Sequence, residues 1–129
     1  MSVSSSFVGF AEELIDRIER VAGKVLDDID SARLAPDQNR WEIWSIEDPS
    51  RFELTFGFEQ QDDQMVLIIE TMRVSAKNSL QAHILSTLST FAETFRLVVA
   101  ISVAGIRPEV ASFLTKERGY YSDGDRLHH

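Results

Sequence analysis

Cysteine is absent from the 129 residues of this chain. Its absence excludes disulfides, thiolate metal sites and a cysteine nucleophile, and it favours a reducing compartment. Long apolar runs are absent too. The longest, LVVAISVAGI, is too short to cross a bilayer. The opening MSVSSSFVGF has neither a basic n-region nor an apolar core, so no secretory signal is expected there, and the expected location is cytoplasmic. No glycine lies between Gly57 and Gly105. No Ser/His/Asp spacing, no His-x-x-x-His pair and no EF-hand pattern occurs, so no metal site is expected.

Basic residues are scarce, with 13 Lys and Arg against 21 Asp and Glu. The deficit is uneven. Residues 1–64 hold 15 acids and 6 bases, whereas residues 65–129 hold 6 acids and 7 bases. A basic stripe that could neutralise phosphates is missing, so nucleic acid is not an expected partner. The acidic N-terminal half could meet a basic protein partner, and the same acidity also serves solubility. Asp27, Asp28 and Asp30 lack a glycine loop after them and read as a solvated helix end.

The length suits a single domain over residues 1–129. Phe7, Ala11, Leu14, Ile18, Val21 and Val25 recur at helical spacing and predict a long amphipathic helix over 6–32, ended before Pro36. RWEIWSIE, RFELTFGFE and QMVLIIETMRV predict three strands joined by short turns, hence an antiparallel meander. The third is apolar on both faces and reads as central. Trp41 and Trp44 fall on opposite faces of the first strand, and an exposed Trp would suit a protein interface. Leu80, Ile84, Leu88, Phe91 and Phe95 mark a second helix, and RLVVAISVA a further strand. GIRPEVASFLTKERGYY reads as a last helix with Pro108 in its first turn and Gly119 as its stop. The tail over 121–129 is polar and expected to fray. The order is α-β-β-β-α-β-α, an α/β (α+β) mixed sheet carrying helices.

These phrases, in this order over residues 40–120, resemble the GNAT-type N-acetyltransferase family. The matching stretches are the strand MVLIIETMRV, the turn SAKNSLQ, the helix AHILSTLSTFAETF, the strand LVVAISV and the phrase LTKERGY. The resemblance implies acetyl-CoA as cofactor. It assigns the pyrophosphate to Lys77 and to the N–H groups of Ser79, Leu80 and Gln81, and the pantetheine arm to the main chain of Met72 and Val74. A helix N-terminus suits that role through its unpaired donors and dipole. Glu70 takes the place of the general base, with a carboxyl raised by its apolar strand. It shares a face with Ile68 and Met72. Its alternative is an ion pair with Arg73, or solvent.

The chain departs from the family at three points. The family turn reads R/Q-x-x-G-x-G/A, and Ala76, Ser79 and Gln81 stand at those positions. Asn78 and Gln81 can instead close a capping box on the helix. The tyrosine that serves the family as general acid falls on Thr115. Two functions follow. One is a protein-binding or regulatory module on this fold that has lost catalysis. The other is an active, divergent N-acetyltransferase acting on an amine, in which a homodimer could supply the wall that missing final strands leave open. An acidic secretion-chaperone-like dimer is a further alternative.

Overall fold

The structure is a computed structural model and describes residues 2–24, 26–33, 39–48, 51–74, 80–106, 108–117 and 119–128. It is a mixed α/β fold whose seven strands form one sheet in the order β1-β2-β3-β4-β5-β7-β6. Helix α1 (Ser2–Ala22) leads into β1 (Ile29–Arg33), β2 (Arg40–Ser45), β3 (Phe52–Gln61) and β4 (Gln64–Val74), all paired antiparallel. Helix α2 (Leu80–Phe95) carries the chain to β5 (Val98–Ser102), which lies parallel to β4. A 3-10 turn (Val103–Gly105), helix α3 (Pro108–Glu117) and the hairpin β6 (Tyr121–Asp123) and β7 (Arg126–His128) complete it.

The long first helix is shorter than its periodicity predicts. It ends at Ala22, and the chain re-forms as a strand that registers Ile29 opposite Ser45 and Arg33 opposite Trp41. The same apolar spacing that suits a helix at Leu26 and Ile29 is overridden by this pairing. Asp28 anchors it. Its Oδ2 accepts the Ser45 hydroxyl at 2.6 Å and the Glu47 amide at 2.8 Å, and its carbonyl accepts the Ile46 amide. Asp28 is therefore a clasp between β1 and β2 rather than part of a solvated helix end. Among the described residues its buried Oδ1 has no hydrogen-bond partner. The Ser45 hydroxyl and then the Glu47 amide hold the Asp28 carboxyl below its ordinary value. A group depressed in this way stabilises the fold above its unfolded pKa and loses that contribution as pH falls through the folded one. Asp28→Asn should melt below the wild type at pH 7, and melts in an acid series should show the gap closing as pH falls below the ordinary carboxylate range.

The tail corrects a second expectation. Tyr121–His128 is a hairpin, not a frayed end. β7 pairs with β5, setting Leu127 opposite Ile101, and Leu127 is buried. Gly124 turns the hairpin at φ +68°. The polar side chains that suggest fraying belong to a strand at the sheet edge, where only alternate residues face the core.

The core lies on one face of the sheet. Phe7, Leu14 and Ile18 of α1, Ile84, Leu88 and Phe91 of α2, and Val110 and Leu114 of α3 meet Trp41, Ile43, Phe52, Leu54, Phe56, Leu67 and Ile69 there. The opposite face has a small apolar cluster of Val66, Ile68 and Ala100, with Val98 beside it. Among the described residues no buried helical side chain joins that cluster. Around this cluster the second, more open face carries from β2 and β3 the half-buried or exposed Arg40, Glu42, Trp44, Glu53, Thr55 and Glu59, with the buried Gly57 among them.

Candidate functional site

The site that the sequence singles out lies where β4 is irregular. Thr55 faces Thr71 and Phe56 faces Ile69, so Glu70 is an extra residue in β4 without a partner in β3. A bulge of this kind inverts the alternation beyond it. Met72 and Val74 consequently point into the helical core, both 2% exposed, on the face of Leu67 and Ile69. Glu70 stays on the open face with Ile68. The expectation that Glu70 and Met72 share a face is overturned by this one residue.

The partner of Glu70 is Arg40, not Arg73. The Arg40 Nη1 lies 2.7 Å from Glu70 Oε1 and 2.9 Å from Oε2. The contact spans two strands because Gly57 stands between them, opposite Arg40 on one side and Ile68 on the other. A side chain there would meet the Asn39 carbonyl at 2.6 Å and Arg40 Cγ at 3.3 Å. The lone glycine inside an alternating strand was the signal for such a crossing. Arg73 instead reaches Glu53 at 3.6 Å. A pocket of about 320 Å³ opens beside the Arg40–Glu70 pair, walled by Asn39, Glu59 and Ile68 as well. The apolar surround expected for a general base is thus replaced by a guanidinium and a solvent-lined rim.

The main chain around Glu70 is also covered. β5 pairs with β4 only from Val66 to Ile69, opposite Val98 to Ile101. Beyond that point the two strands part. The 3-10 turn fills the start of the gap, so close that a Cβ on Gly105 would stand 1.7 Å from the Glu70 carbonyl oxygen and 3.0 Å from Thr71 Cα. Among the described residues, the remaining stretch of β4, through Met72 and Val74, has a strand beside it only on the β3 side.

The other expected positions divide. Lys77 and Ser79, with Ala76 and Asn78, lie outside the described residues. Leu80 opens α2 and is buried in the core at 2% exposure, and Gln81 is half-buried beside it. Thr115, at the position of the family's acid, directs its hydroxyl to the Ala111 and Ser112 carbonyls at 3.1 and 3.0 Å. Its proton is engaged within α3, as is common for helical threonine. His83 is exposed on α2. Among the described residues no group of three His, Cys, Asp or Glu is placed to hold a metal, and no helix is long and apolar enough to cross a membrane.

By sequence the chain matches no family profile and no curated protein. By structure it is similar to the N-acetyltransferase Naa50 of Arabidopsis thaliana, solved in complex with the bisubstrate analogue CoA-Ac-MVNAL. The TM-score is 0.48 at 11% identity, over 78% of this chain and 95% of that one. The architecture described above is a mixed α/β fold, a seven-stranded sheet with helices packed on it.

Proposed function

We propose that this chain is an acetyltransferase-like module that binds a protein partner and no longer transfers acetyl groups. The observation that carries this reading is the state of the β4 bulge. Glu70 is engaged by Arg40, and its main chain lies against the turn that ends at Gly105. A pantetheine arm entering between β4 and β5 would have to displace that turn. A base would have to be released from its guanidinium before it could take a proton from an ammonium. The engaged hydroxyl of Thr115 adds to this, because it leaves that position without a proton donor for a departing thiolate. The acidic N-terminal half, placed in the cytoplasm, supplies the surface for a basic partner.

One observation favours the transferase reading. From Met72 to Val74, β4 has no strand on its second side among the described residues. In that reading acetyl-CoA lies along Met72 and Val74, the residues Lys77, Ser79, Leu80 and Gln81 hold its phosphates, and Glu70 is the base. Thermal unfolding with and without millimolar acetyl-CoA or free CoA separates the two. A ligand at 100 times its Kd adds about 2.7 kcal/mol, a rise of several degrees for a chain of this size. No rise is expected with either ligand. A clear rise would overturn the non-catalytic reading and direct the work to amine acceptors.

A further inference from the structure

The open sheet face is an ordered array of charge with one member left over. Four carboxylates of β2, β3 and β4 point to it: Glu42, Glu53, Glu59 and Glu70. Three of them have an arginine. Arg40 holds Glu70 at 2.7 Å, Arg73 reaches Glu53 at 3.6 Å and Arg126 reaches Glu59 at 3.9 Å. Glu42 has no arginine or lysine within ion-pair distance among the described residues. Its neighbour is another carboxyl, that of Glu53, whose charge acts on it. Arg40, the nearest cation along β2, is turned away across Gly57. Partial burial first, and then the charge of Glu53, push the Glu42 carboxyl above its ordinary value. Among the described residues no cation stands beside Glu42 to offset that charge.

Trp44 completes the arrangement. It lies two residues along β2 on the same face and stands directly opposite Glu53. It is half-buried, so part of the indole is accessible. An indole beside a carboxylate suits a guanidinium or ammonium, whose stem packs on the ring while its head meets the acid.

We propose that this face docks a basic segment of another protein, which sets an arginine on Glu42 with its stem against Trp44. This inference rests on the binding-module reading and names its surface and the chemistry of its partner. The charge of the occupant follows from the array itself, since among the described residues a cation at Glu42 would pair the one of these four carboxylates that has no arginine. Electrostatic complementarity of this kind sets register and specificity.

The test is an NMR titration of the isotope-labelled full chain with a capped peptide of three arginines separated by glycines, at low salt. A peptide with glutamates in place of the arginines serves as the comparison. The expected result is a set of shifts centred on Glu42, the Trp44 indole, Glu53 and Thr55, with affinity reduced about tenfold by Glu42→Gln. Glu42→Gln should melt no lower than the wild type at pH 7, because it relieves the repulsion with Glu53. Glu12→Gln, on the exposed side of α1, should leave the titration unchanged. No shifts at millimolar peptide, shifts spread over the acids of α1, or an affinity that Glu42→Gln alters less than twofold would each overturn the proposal. The titration contains no nucleotide. A negative result therefore leaves the cofactor experiment standing, and a positive one beside a cofactor-induced rise in melting overturns only the loss of catalysis.

Discussion

Phe56→Ala should lower the stability of this chain by about 3–5 kcal/mol, the range for truncating a fully buried aromatic side chain. Phe56 is 0% exposed and central to the aromatic part of the core. Its ring stacks on Trp41 at 6.0 Å and 20°, and meets Phe58 edge-on at 5.9 Å. Phe58 in turn touches Phe7 and Phe10, and Phe10 reaches Phe91 and Phe95. The removed ring leaves a cavity that β3 cannot close, because Phe56 is held between Trp41 on β2 and Ile69 on β4. Denaturant unfolding should show a lower midpoint with an unchanged slope, and the melting temperature should drop by about 10 °C or more. Phe56→Leu keeps most of the volume and should cost much less. Equal losses for the two variants would mean that ring stacking, not volume, stabilises this layer.

Gly105→Ala should cost about 3 kcal/mol, the upper end of what overpacking usually takes from a core. The added methyl would stand 1.7 Å from the Glu70 carbonyl oxygen, and that oxygen belongs to backbone rather than to a flexible side chain. Either the turn lifts from β4 or the bulge shifts. Both disturb the point where β4 and β5 separate. Amide exchange should become faster at Ile69, Thr71 and Ile106, whereas α1 should keep its protection. Gly105 is not at a positive φ, so the cost comes from contact and not from backbone preference. A variant as stable as the wild type would mean that the turn is loosely seated, and the obstruction argued for the cofactor slot would fall with it.

Both substitutions act on residues whose importance is unequally visible beforehand. The alternation of Phe52, Leu54, Phe56 and Phe58 announces a strand with one buried face, and the structure buries all four. The helix over Leu80–Phe95 is equally plain from its 3.6-residue period, and Gly119 turns at φ +73° as the stop of the last helix requires. These features are local. A strand or helix must hide one face, and the residues that do so recur at the period of the element.

What local pattern could not supply was pairing at a distance. Ile29 continues a helical stripe as readily as it fills a strand, and the decision came from β2 and the Asp28 clasp. The tail reads as polar, and β5 recruits it as an edge. Glu70 shows the limit most clearly. Its chemistry and its place on a central strand were legible from the residues. Its surroundings were not, because a single inserted residue sends Met72 to the other face, and the absence of a side chain at Gly57 lets Arg40 arrive from two strands away. Composition and period determine which elements form and which faces they bury. Register, bulges and the crossing of long side chains arise only when strands meet, and they decide that among the described residues Glu53, Glu59 and Glu70 each meet an arginine and Glu42 does not.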